Sequence, residues 1–238
     1  MLAEPSASYT VADQERMTCA NNYFAWQGRL VSREAGRRII EVGAGIGNFT
    51  RLLLDREAVL ALDVEAACVD RLRERFVGHP HIQVMVGDAA DTAFRELARF
   101  KPDSCLCVNV LEHVSDDRAA LENMCSTLMP GGVIVLIVPA FPALYGPIDR
   151  NLGHCRRYTR RTLKQVARAA GLSIRKMHYV NAAGFFGWWI NAHLLKLTAQ
   201  SPAQIGFFDR FIVPPLSRIE SVVPPPFGQS LFAVLENA

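Results

Sequence analysis

Three glycines, Gly43, Gly45 and Gly47, follow an apolar run in the stretch RIIEVGAGIGNFT. This G-x-G-x-G spacing, with small Ala44 between the first two, permits a tight turn and close approach of backbone to a ligand. A helix expected over residues 46–55 would aim its unpaired N–H groups at that ligand. Glu41 stands two residues before the first glycine, inside an otherwise apolar strand. A buried carboxylate there needs backbone donors or a cationic ligand, and a pyrophosphate would gain nothing from it. Asp63, followed by Val64, lies 20 residues beyond Gly43 and can accept both hydroxyls of a ribose. Gly87, Asp88 and Ala89 close a later apolar run, where Asp88 can accept from an adenine amine. Asn109 and Val110 close the next run and lead into Glu112 and His113, where backbone carbonyls and Asn109 can meet a methionine moiety. The glycines and Asp63 would serve NAD, a flavin or S-adenosylmethionine. Glu41 and the 109–113 segment favour the last.

A second group of chemically able residues falls in DRNLGHCRRYT, residues 149–159. Histidine is the usual general base near neutral pH, so His154 is the candidate to take a proton from an oxygen or nitrogen acceptor. Asp149 can orient His154 or an arginine, and an ion-paired structural latch among them is the competing reading. Arg156 and Arg157 could each grip a carboxylate or phosphate, but adjacent residues point apart, so one of them should reach a pocket. His154, Asp149 and Arg156 form the candidate catalytic set. His113 is expected to serve the cofactor side, and His178 and His193 to be satisfied internally. Thr159 reads as a helix N-cap.

The elements that must hold these groups follow from periodicity. Apolar runs at 38–42, 58–64, 82–86, 103–110 and 133–138 read as strands separated by helical stretches, which implies βαβ units and a mostly parallel sheet. A ligand of such a sheet lies over the carboxyl ends of the strands. Residues 12–35 read as one helix, 139–151 as a loop, 160–171 as a helix, 173–180 and 230–236 as further strands. Residues 181–221 form an aromatic-rich insertion containing FFGWW.

Bulk properties narrow the class. At 238 residues, with 50% hydrophobic and 21% charged residues, the chain can bury a substantial core and is a poor candidate for disorder. Six cysteines without C-x-x-C spacing read as ordinary thiols, and no metal is expected. No cationic leader and no long uncharged apolar stretch is evident, which points to the cytoplasm. Residues 1–149 carry 14 Lys/Arg against 20 Asp/Glu, whereas residues 150–238 carry 12 against 3. Nine of the cations fall between Arg150 and Lys176, a local anion-attracting surface. Few stacking aromatics lie among them, which argues against nucleic acid.

E-V-G-A-G-I-G, L-A-L-D-V, G-D-A, N-V-L-E-H-V and L-M-P-G-G-V-I, in that order, resemble the successive motifs of the class I S-adenosylmethionine-dependent methyltransferases, especially the type 11/type 23 small-molecule group. The D-x4-G-H-x-R-R-Y-T segment, Gly184 to Asn191 and Pro226 to Leu231 resemble one subgroup of that family. The resemblance implies a Rossmann-like fold with seven strands in the order 3-2-1-4-5-7-6, helices on both faces and a helical lid insertion. It implies a helical cap over residues 1–35, a core over 36–180 and 222–238, and a lid over 181–221. Tyr9, Tyr23 and Trp26 of the cap would cover the cofactor. The implied activity is methyl transfer from S-adenosylmethionine, leaving S-adenosylhomocysteine, to a hydrophobic and anionic small molecule, with oxygen as the expected acceptor atom in secondary metabolism. Carbon methylation of a prenyl diphosphate, nitrogen methylation, and a non-catalytic partner protein are the alternatives. The exposed aromatics would otherwise serve a homodimer or a transient membrane-surface contact.

Overall fold

The computed structural model describes residues 10–237; Tyr9 therefore lies outside the described residues. The expected single N-terminal helix is two. In α1 (Val11–Arg16), Thr10 and Asp13 cap each other's backbone reciprocally. A short 3-10 turn and the non-helical Ala20 (φ −82°, ψ 54°) then break the axis before α2 (Asn21–Ser32). The break lets α1 lie over the glycine turn while α2 buries Trp26 and Val31 in the cluster around Ile39.

Strands β1 (Arg38–Val42), β2 (Ala58–Asp63), β3 (Ile82–Val86), β4 (Ser104–Val108), β5 (Val133–Pro139), β6 (Leu172–Val180) and β7 (Ser230–Asn237) form one sheet in the order β3-β2-β1-β4-β5-β7-β6. The first five pair in parallel, and β7 pairs antiparallel with both β5 and β6. Ile134 to Val138 are all buried, as expected of a strand covered on both faces. Helix α3 (Ala66–Arg75) follows β2, and α4 (Asp117–Thr127) starts at an Asp116 cap. The segment expected as a loop before residue 152 contains a 3-10 turn and α5 (Pro147–Asn151). Helix α6 (Arg160–Ala169) begins at Thr159, whose hydroxyl accepts the Thr162 N–H, as expected.

One expected element is missing. Residues 46–55 form turns with a single 3-10 turn at Thr50–Leu52 instead of a helix. Gly47 at φ +84° lies outside the right-handed helical region, so a helix cannot propagate through it. Gln14 of α1 also holds this turn in place through the Ile46 backbone and the Asn48 side chain. Its Oε1 accepts the Ile46 N–H at 2.7 Å and its carbonyl accepts the Asn48 amide at 2.9 Å.

The insertion comprises α7 (Ala182–Trp189), α8 (Pro202–Phe207) and α9 (Val213–Val222), with π-helical turns after α7 and α8. Two acids stitch it down at helix starts, one at α2, which has no side-chain cap of its own, and one at α7, where it adds to the Asn181 cap. Asp209 accepts the N–H groups of Asn22 and Tyr23 at the start of α2, and Glu220 accepts those of Asn181 and Ala182 at the start of α7. Cap and insertion thus meet over the sheet. Among the described residues no helix is long and apolar enough to cross a membrane.

Candidate active site

A cavity of about 990 Å³ lies over the carboxyl ends of the strands, within the size range of cofactor sites. One end is built by strand termini. Gly43 and Ala44 line it, and a Cβ at Gly43, whose φ is +69°, would collide with Val110. Asp63 closes β2 with one carboxylate oxygen on the Gly45 N–H (2.7 Å) and the other on the Glu65 N–H (3.0 Å). Burial pushes its pKa up, and those two donors oppose the shift. A carboxylate has about four acceptor positions, so lone pairs remain for a pair of ribose hydroxyls. Val64, Gly87, Asp88 and Ala89 continue this wall, with Asp88 exposed and its Oδ1 on the Ala90 N–H. Asn109 and Val110 complete it; Asn109 adopts φ +53°, a left-handed conformation that asparagine tolerates.

Three expected cofactor residues stand behind this wall instead of on it. Gly45 and Gly47 shape the turn: a Cβ at Gly45 would strike the Gln14 amide, and one at Gly47 would meet the Phe76 ring at 2.5 Å. Glu41 is buried, its Oε2 lacks a hydrogen-bond partner among the described residues, and it does not line the cavity. Burial, reinforced by the nearby Asp63 charge, pushes its carboxyl up to about 8.

The other end is built from side chains. Asp149 is wholly buried, and its Oδ1 contacts both His154 Nδ1 and Arg157 Nε at 2.8 Å. Its Oδ2 accepts the Gly146 N–H at 2.9 Å and the Trp188 indole at 3.3 Å. Burial raises its pKa, but His154 and Arg157 outweigh that and hold it below the usual range. The Arg157 guanidinium also donates to the Ala140 carbonyl and stacks 4.8 Å above the Trp188 ring. His154, Arg157 and Trp188 line the cavity; Asp149 lies behind them. Asp149 therefore orients both a histidine and an arginine, so the two readings of that acid coexist.

Of the two arginines, the structure brings Arg157 to the cavity and turns Arg156 away. Arg156 pairs with Asp117 at 2.6 Å and with the Ser115 carbonyl, and does not line the cavity. Asp117 also accepts the buried Tyr158 hydroxyl at 2.8 Å. The cationic run is likewise divided. Arg175 and Lys176 pair with Glu34, and Arg160 covers the Tyr179 ring. As expected, His193 contacts a backbone carbonyl, while His178 packs on Phe232.

The cavity wall holds further polar residues, not all of them singled out in the sequence. His113, expected on the cofactor side, lines the cavity with its ring in edge contact with that of His154 at 4.7 Å. Burial and His154 press its pKa down to about 4. Glu112 is buried in the same wall, and burial raises it to about 7 against the opposing pull of His154 and Arg157. Gln27 is 2% exposed, lines the cavity, and neither end of its amide has a partner among the described residues. A polar residue on the apolar face of α2 was the available sign. Gln14 and Trp188 gave none, because both act through distant partners.

Residues 19–176 match the family described as methyltransferase domain. A stretch of 112 residues is 31% identical to trans-aconitate 2-methyltransferase of Acidovorax sp. (strain JS42), covering 46% of this chain and 41% of that protein. Another of 105 residues is 30% identical to malonyl-[acyl-carrier protein] O-methyltransferase of Serratia marcescens, covering 44% and 39%. The matches span about two fifths of the length of these curated relatives. In fold, the chain is similar to a Haloferax volcanii methyltransferase solved in complex with the Trm112 methyltransferase activator, with TM-score 0.65, 16% identity and 95% of each chain covered. The cradle at Gly43 and the spare lone pairs of Asp63 suit the adenosyl cofactor of that family. With more than half its length matched to the family and the sheet order to go with it, the chain belongs to the class I S-adenosylmethionine-dependent methyltransferases.

Proposed function

We propose that this chain methylates an oxygen of a hydrophobic small molecule bearing an acidic group. One observation carries the reading: the glycine turn and the Asp149-backed His154 open into the same cavity. When bound, the cofactor supplies an electrophilic methyl group on a sulfonium. The chain's own task is to hold the acceptor in line with it and to keep water out. Phe24 of the cap, with Ile190, Leu195, Ile205 and Phe207 of the insertion, lines the cavity with apolar surface suited to a hydrophobic acceptor. Arg157 brings a cation to the same wall for an acidic group.

His154 suits an acceptor hydroxyl. The Asp149 carboxylate can only accept, so Nδ1 of His154 carries the hydrogen, and in the neutral ring Nε2 holds the lone pair. An acceptor hydroxyl resting against that lone pair would be made a better nucleophile.

The test has two parts. Calorimetry should show one S-adenosylhomocysteine bound per chain. Mass spectrometry of hydrophobic hydroxy and carboxylic acids incubated with methyl-deuterated cofactor should show label on oxygen, and His154→Gln should slow it with cofactor affinity retained. Folded protein that binds no cofactor would overturn methyl transfer. Label found on carbon or nitrogen would overturn the choice of atom.

A further inference from the structure

Glu112, His113 and His154 each offer one ligand atom, and these atoms lie within 4.8 Å of one another at the acceptor end of the cavity. We propose that they hold a divalent first-row transition-metal ion, and that the ion's open positions receive oxygen atoms of the acceptor.

Three independent features support a built site. First, Glu112 is 1% exposed and neither carboxylate oxygen has a hydrogen-bond partner among the described residues. A carboxyl group so placed carries a large desolvation cost that a cation would offset. Second, each histidine is oriented from behind. Asp149 holds Nδ1 of His154, and the Gly153 backbone hydrogen-bonds His113. Metal-binding imidazoles characteristically engage a carboxylate or a backbone carbonyl through the other ring nitrogen. Third, two imidazoles and one carboxylate are a donor set that suits Mn²⁺, Fe²⁺, Co²⁺ or Zn²⁺, whereas all-oxygen surroundings suit Ca²⁺ and Mg²⁺. An ion about 2.1 Å from each donor would draw them together by roughly 1 Å, a movement within reach of side-chain rotation.

The three residues come from the turn after β4 and from the segment after α5, about forty positions apart, so sequence spacing hid the set. The earlier expectation of no metal rested on cysteine spacing, which does not address this cluster. A cation here also gives the acidic group of the proposed acceptor a partner. Arg157 alone is a weaker one, because Asp149 already occupies its Nε. With the ion bound, the Nε2 lone pair of His154 goes to the ion, and activation of the acceptor hydroxyl passes from His154 to the ion. That role rests on the methyl-transfer reading, whereas binding of the ion does not.

The test begins with tag-free protein stripped by a chelator and titrated with Co²⁺, followed by visible absorption and metal analysis. One equivalent of Co²⁺ per chain, with the weak visible bands of nitrogen and oxygen ligands, is expected. Glu112→Gln and His113→Ala should each weaken binding by about 100-fold or more, beyond the 10- to 100-fold typical of supporting residues. His193→Ala, at an exposed histidine away from the cluster, should bind as the parent does. Melting curves of the variants would separate lost ligands from lost fold. No stoichiometric uptake of Co²⁺, Mn²⁺ or Zn²⁺ by folded parent protein would overturn the proposal. So would uptake undiminished in folded Glu112→Gln and His113→Ala. Cofactor binding without metal uptake would leave methyl transfer standing and remove the metal.

Discussion

At the glycine turn, the cavity wall is close-packed backbone with the short acids Asp63 and Asp88 fixed at strand ends. At the His154 end they are long side chains held by one buried carboxylate, Asp149, with partners drawn from α5, α7 and the segment after α5. The first design spends little on charge burial and depends on conformation. The second depends on a charge network that must stay complete, since removing one member leaves the others unpaired away from water. The two ends should therefore fail differently when disturbed.

The largest effect is expected at the network. Asp149→Ala strands Arg157 and removes the acceptor from His154, Gly146 and Trp188, which should cost about 3–5 kcal/mol of folding stability. Urea unfolding measures this directly. S-adenosylhomocysteine affinity of the remaining folded fraction should be close to that of the parent, because Asp149 lies behind the opposite wall. A change of less than about 1 kcal/mol, the value of an ordinary surface ion pair, would mean that the network is not what holds this end.

Gly43→Val reverses the pattern. The new side chain would run into Val110 from a backbone at φ +69°, so the turn must shift where it touches the cofactor. Affinity for S-adenosylhomocysteine should drop on the order of 100-fold, equivalent to about 2.7 kcal/mol. The stability loss should be smaller than for Asp149→Ala. If Gly43→Val bound the cofactor like the parent, the turn would not be the cradle.

The same contrast explains what could be read from the chain. The apolar run from Val133 to Val138, the glycines and Asp63 act through local conformation and strand position, so their spacing carried the sheet order by resemblance and, directly, several residues that line one end of the cavity. The failed helix over residues 46–55 shows the limit of local rules. Gly47 at positive φ breaks it, and the turn is held by Gln14, which binds the Ile46 N–H and the Asn48 side-chain amide from 32 and 34 residues earlier. At the other end, Asp149 and His154 were visible as residue types, but which arginine joins them was not. That choice depends on Trp188, 39 residues beyond Asp149, which covers Arg157, and on Asp117, which captures Arg156.

Glu41 sharpens the comparison most finely, because it is a buried acid within the conformational half. Asp149 is held ionised by cations, whereas Glu41 faces another acid, Asp63, and keeps its proton up to about pH 8 against an ordinary 4.5. Below about 4.5 the carboxyl is protonated in both folded and unfolded chains, and its favourable contribution is complete. Between about 4.5 and 8 the unfolded chain has released the proton while the folded chain keeps it, so stability falls as pH rises. The slope from this one group approaches about 1.4 kcal/mol per pH unit. Glu41→Gln keeps the shape and removes the titration, so its stability advantage over the parent should widen from pH 5 to pH 8. Urea unfolding of both proteins across that range checks it, and curves that stay parallel would refute a raised Glu41. Because Glu41 does not line the cavity, S-adenosylhomocysteine affinity should change little in the variant. A large loss would instead place its carboxylate on the cofactor, making the glycine half depend on a buried charge as the other half does.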